Sequence, residues 1–220
     1  DFRNEPISDG QPYTQHITSD GNLTWDADGL PLSDHKLTEF TLNLCKDGNG
    51  GVFALWKQKD GGHYSSYLHS DNDEPTIEVE VISDAWSHSS PSLETAGNGG
   101  AVMVWADQRN TDKDIYGQRL DFDGINVITA WETIEDEDAN GIDDFAKGGI
   151  PIVTASGDQS SQKVTYYSEE YSVIVWQDAR YNTAMPDIYA TFLDLNGTPA
   201  PFYGENGLSV VSSFDSNGNQ

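Results

Sequence analysis

Short apolar runs punctuated by glycine turns, not stripes spaced for a helix, set the pattern of this chain. Residues 99–124 read G-G-A-V-M-V-W-A-D-Q-R-N-T-D-K-D-I-Y-G-Q-R-L-D-F-D-G. Ala101 to Trp105 is predicted to be a strand after a Gly-Gly turn, and Ile115 to Leu120 its return strand. Asp107, Arg109 and Asp114 form the polar hinge between them, and Asp123-Gly124 is the next turn. Residues 172–197 repeat the pattern, with Trp176, Asp178, Arg180 and Asp187-Ile188-Tyr189 in the same order. An earlier copy has Val52 to Trp56 and Tyr64 to Leu68, but Gln58 and Asp60 stand where the others have Asp and Arg. Thr76 to Ile82 alternates as a fourth strand with one more polar face should. In the first copy, Tyr13 to Ile17 and Asp20-Gly21 parallel Tyr116 to Leu120 and Asp123-Gly124, and Asp1 to Asn4 match Asp107 to Asn110.

The equivalent tyrosines, Tyr13, Tyr64, Tyr116 and Tyr189, are 51, 52 and 73 residues apart. The long interval holds an acidic insertion, and no amphipathic helix is evident. Four short antiparallel strands in about 50 residues suit a β-propeller blade. The predicted fold is therefore all-β, a propeller-like array of about four four-stranded blades that could belong to a larger propeller. Its approximate repeats are 1–40, 41–83, 84–155 and 156–214, with the insertion at 132–148. The tail 215–220 resembles the turn at 47–51 and is expected to open a further repeat. Each Trp should pack between blades. The Asp-x-Arg hinge reads as structural, since catalysis needs one constellation and packing needs one per repeat. Arg109 and Arg180 are expected to fork onto Asp114 and Asp187.

Trp-x-Asp-x-Arg, then Asp-Ile-Tyr and Leu-Asp-x-(Asp/Asn)-Gly, followed by an aromatic and Gly-(Ile/Leu)-Pro-(Ile/Leu), resembles the propeller-type repeats of large secreted and cell-surface bacterial proteins, many of which carry type IX secretion signals. The resemblance covers nearly the whole chain, and the third and fourth copies carry the full signature. It implies an extracellular or cell-surface location and no defined activity. Thr18, Asp20, Thr24 and Trp25 are similar to the sialidase Asp-box, a structural hairpin, with Asn22 where Gly is expected.

The charge changes the functional picture. Eleven Lys and Arg against 37 Asp and Glu leave a net charge of −26 over 220 residues. Such a surface repels nucleic acid and anionic membranes and suits cations or basic partners. No run reaches the length of a membrane-spanning helix, so membrane insertion is not expected. The single cysteine, Cys45, permits no intrachain disulfide and reads as a passive strand residue beside an inward Leu44. His16, His35, His63, His69 and His88 show no metal-protease spacing, and no nucleophile elbow or phosphate loop is present.

Chemistry concentrates in the insertion. Asp136, Asp138, Asn140, Ile142 and Asp144 occupy positions 1, 3, 5, 7 and 9 of a calcium loop, with Gly141 at the sharp turn. Ile142 would ligate through its backbone carbonyl. Lys147 stands where an EF-hand has Glu, so Asp143 or Glu135 would have to complete the shell. The expected cofactor is calcium. The expected role is a non-catalytic binding, adhesion or structural module, with glycans, other surface proteins or copies of itself as partners. Tyr181 and Tyr203, near turns, serve either as sugar platforms or as packing residues. A sialidase-like or other glycoside hydrolase propeller and a filament or surface-layer building block remain the alternatives.

Overall fold

The computed structural model describes residues 11–33, 37–58, 61–69, 75–82, 88–89, 91–131 and 148–211. The calcium-loop residues 136–144, the opening Asp1 to Asn4 and the tail 215–220 therefore lie outside the described residues.

The described chain is all-β, in four antiparallel sheets. The first sheet is a pair, β1 (Tyr13–Thr14) and β2 (Leu30–Pro31). The second is a meander of β3 (Leu37–Lys46), β4 (Gly51–Gln58), β5 (His63–His69) and β6 (Val79–Ile82). The third runs β7 (Ser92–Gly97), β8 (Gly100–Asp107) and β9 (Asp114–Phe122), and two short strands share its outer edge. These are β10 (Val127–Thr129), paired with residues 120–122, and β11 (Ile150–Val153), paired with residues 115–117. The fourth is β12 (Gln159–Ser168), β13 (Tyr171–Asp178), β14 (Asp187–Asp194) and β15 (Leu208–Val211). One sheet falls in each predicted repeat, except that β3 begins before residue 41; against the four strands expected in each, the first sheet has two among the described residues and the third has five.

The sheets stack face to face in chain order. Phe53 and Leu55 on β4 pack with Met103 and Trp105 on β8, burying one cluster between the second and third sheets. Val102 and Val104, on the opposite face of β8, pack with Ile174 and Trp176 on β13. Ala54 and Trp56 pack back onto Leu32, with Trp25 beside them. The alternation of side chains across a strand explains this directly. A sheet covered on both sides must be apolar on both faces, and every residue of β8 is buried. The expected inter-sheet packing of Trp56, Trp105 and Trp176 holds.

One predicted orientation is reversed. Cys45, not Leu44, points inward: Cys45 is buried opposite Phe53, and Leu44 is largely exposed. The register places Cys45 on the face covered by the third sheet. Burial, helped by Glu94 and Asp47 nearby, pushes its thiol up to about 12, which suits a passive packing residue.

Candidate functional site

The recurring polar residues make one closed unit in each of the third and fourth sheets. Trp105 Nε1 donates to Asp107 Oδ2 at 2.9 Å, two residues further along the same strand. Arg109 forks onto both oxygens of that carboxylate, Nε to Oδ1 at 3.0 Å and Nη2 to Oδ2 at 2.6 Å. Its guanidinium lies 3.5 Å from the centroid of the Tyr116 ring. In the fourth sheet Trp176 Nε1 donates to Asp178 at 2.8 Å, Arg180 forks onto Asp178, and its guanidinium covers the Tyr189 ring at 4.0 Å. The forks thus go to Asp107 and Asp178 and not to Asp114 and Asp187. The Arg backbone N–H also bonds the same carboxylate in each copy, so the turn itself folds Arg back onto the nearer Asp. Asp114 instead accepts from Asn110 Nδ2 at 2.8 Å.

The electrostatics suit structure. Burial tends to raise the Asp178 carboxyl, but hydrogen bonds from Arg180 and Trp176 outweigh it and hold the group below its ordinary value. Both carboxylates are fully covered, leaving no open position for a substrate. The spare Arg Nη2 valence reaches across to the residues that lead into the outer strand, to Gly148 O at 2.8 Å and Asn206 O at 2.9 Å. The next residues, Gly149 and Gly207, have φ +58° and +71° and sit against the Trp105 and Trp176 rings, where a Cβ would collide. The Gly of the Gly-(Ile/Leu) motif is therefore required by the Trp of the same repeat.

The degenerate second sheet lacks this unit. Gln58 replaces the Asp, and Trp56 Nε1 is buried with no hydrogen-bond partner among the described residues. A feature the sequence reading missed lies beside it. His63 is buried and neither ring nitrogen has a partner among the described residues; its ring meets that of His88 at 4.7 Å, edge to face. Desolvation, with His88 and Lys57 adding repulsion, lowers its pKa to about 3. The signal was legible: His63 precedes Tyr64 where the other copies place Ile115 and Ile188.

Two clefts open at the hairpin end of the array. The larger, about 520 Å³, runs between the β3–β4, β7–β8 and β12–β13 turns. Asn49, Thr95, Asn98 and Glu169 line it with the Tyr166 ring, and Glu169 accepts from Asn98 N and Tyr166 Oη. The smaller, about 230 Å³, is walled by Trp25, Leu44, Val52 and Leu68, with His16 and His69 at its rim. Gln15 Oε1 accepts from the backbone of Trp25, and Thr18 Oγ1 from Asn22 N, so the 18–25 hairpin is formed without the expected Gly. Tyr203 packs at 4.9 Å from the Phe192 ring, whereas Tyr181 is exposed.

The insertion is anchored at both ends. Trp131 is buried, bonded through its backbone N–H to Gln118 and through Nε1 to Leu195 O. Gly148 is held by Arg109 at the other end. Among the described residues no three His, Cys, Asp or Glu side chains gather to hold a metal, and no helix is long and apolar enough to cross a membrane. No protein-family model matches this chain, and no curated protein matches it.

Proposed function

We propose that this chain is a non-catalytic, propeller-like repeat module of a secreted or surface-attached bacterial protein, serving binding or adhesion. The observation that carries the reading is the closed Trp–Asp–Arg–Tyr unit. Its carboxylates are saturated by their own Trp and Arg, so the polar residues that recur hold the strands of each repeat together and do no chemistry. Binding then belongs to the turns displayed on this frame. The cleft between the three hairpins has the size of a small-ligand site. Its amide, hydroxyl and carboxylate groups beside a Tyr ring suit the hydroxyls and apolar face of a glycan. Calcium steadies the insertion through Asp136, Asp138, Asn140, Asp144 and the carbonyl of Ile142.

Turnover by the purified chain, with calcium present, is expected to be absent on sialosides, α- and β-glycans and peptides. Activity abolished by one carboxylate or tyrosine substitution would replace this reading with the hydrolase alternative. Calorimetry should give a calcium-binding heat that Asp138→Ala removes; equal heats from both proteins, or none from either, would count against the metal.

A further inference from the structure

The fourth sheet has one face packed and one face open. Its packed face presents Ile174 and Trp176 to the third sheet. Its open face presents Val173 and Val175, with Phe192 opposite Val173 and Leu208 opposite Ala190. Counted from the paired Trp and Tyr of the second, third and fourth sheets, Val173, Val175 and Phe192 are register equivalents of Phe53, Leu55 and Tyr67, and of Val102, Val104 and Arg119. In the second and third sheets all six of these residues are buried, and the five other than Arg119 lie in clusters shared with the sheet that follows. In the fourth, Val175 is 39% and Leu208 42% exposed, and Tyr167 stands 63% exposed against the Phe192 ring.

We propose that this open face is the docking surface for a further four-stranded repeat of the same type, presenting its Trp-bearing face. The two interfaces already formed define the partner. In each, the covering surface is the Trp face of the next sheet, Met103 and Trp105 in one and Ile174 and Trp176 in the other. A second copy of this chain fits less well, because the β1–β2 pair at its opposite end has no Trp-bearing strand among the described residues. The inference rests on the repeat-scaffold reading and names what the scaffold binds at this end. A face that recurs in register, with apolar residues at its two positions before the Trp each time, is built for the same cover each time.

The test uses thiol labelling, since the only native thiol, Cys45, is buried. Val175→Cys is placed in the chain, and in the chain extended by one added copy of residues 154–211 that keeps Val at the equivalent position. The expected result is fast labelling in the chain alone and labelling at least tenfold slower in the extended chain. Replacing the added Trp176 equivalent by Asp should restore the fast rate. Equal rates in both chains, with the added repeat folded, would overturn the proposal. An added repeat that stays unfolded would also count against it, because docking should fold it. Slow, concentration-dependent labelling in the chain alone would assign the face to a second copy instead. Catalytic turnover would overturn the scaffold reading and leave the labelling result untouched.

Discussion

At the residue scale, the buried Asp178 carboxylate depends on the fork from Arg180. Removing one partner of a buried pair leaves an uncompensated charge. Arg180→Ala is therefore expected to cost about 3 kcal/mol, read as a lowered urea midpoint. Arg180→Lys should recover less than half of that, because an ammonium cannot fork onto both oxygens or lie flat on Tyr189. The second sheet offers the converse. Gln58→Asp together with Asp60→Arg would supply Trp56 Nε1 with its missing acceptor, for a gain of about 1 kcal/mol by the same measurement. His63 adds a pH dependence. Its folded pKa, about 3, lies below its unfolded value of 6.5. As pH falls through 6.5 the unfolded chain takes up a proton that the folded chain refuses until about pH 3. Stability is therefore lost across that window, by up to about 1.4 kcal/mol per pH unit from this group. His63→Ile, the residue of the other repeats, should flatten the slope and raise the acid-side melting temperature.

At the element scale, the outer strand explains where variation is tolerated. In the third sheet it is split into β10 and β11, and the insertion leaves at the split. In the fourth sheet residues 199–200 pair with β14, a short 3-10 helix at Pro201–Tyr203 intervenes, and β15 resumes the edge. Both sheets thus interrupt the same strand at the same seam, and the 132–148 insertion enlarges a gap the repeat already has. Replacing residues 133–147 by a short Gly-containing turn should leave the melting temperature within a few degrees in calcium-free buffer and abolish the calcium heat. A large loss of stability without calcium would show the insertion to be part of the core. Gly207 is the opposite case. Gly207→Ala must place a Cβ against the Trp176 ring at positive φ, and is expected to cost about 2–3 kcal/mol.

At the scale of the whole molecule, acidic charge works against packing. A net charge of −26 makes the folded chain repel itself. Raising monovalent salt from about 10 mM to about 150 mM shortens the screening length and should raise the melting temperature. If the 136–144 oxygen spacing binds calcium as proposed, calcium at matched ionic strength should raise it further than magnesium, because Ca2+ takes more oxygen ligands at longer distances. Equal effects of the two ions would mean screening alone.

The all-β character, the repeated strand–turn pattern and the inter-sheet tryptophans were legible in the linear pattern, because strands are local and each repeat restates the same demand. The sequence also located the insertion, since it breaks that period. What tertiary structure decided depends on where neighbours lie. The Arg fork closed on the nearer Asp because a turn brought them together. Leu44 faced out and Cys45 in because inter-strand register, not hydrophobicity, chose the covered face. The open Val175 face arises from whether another sheet lies on top, and no single strand encodes that.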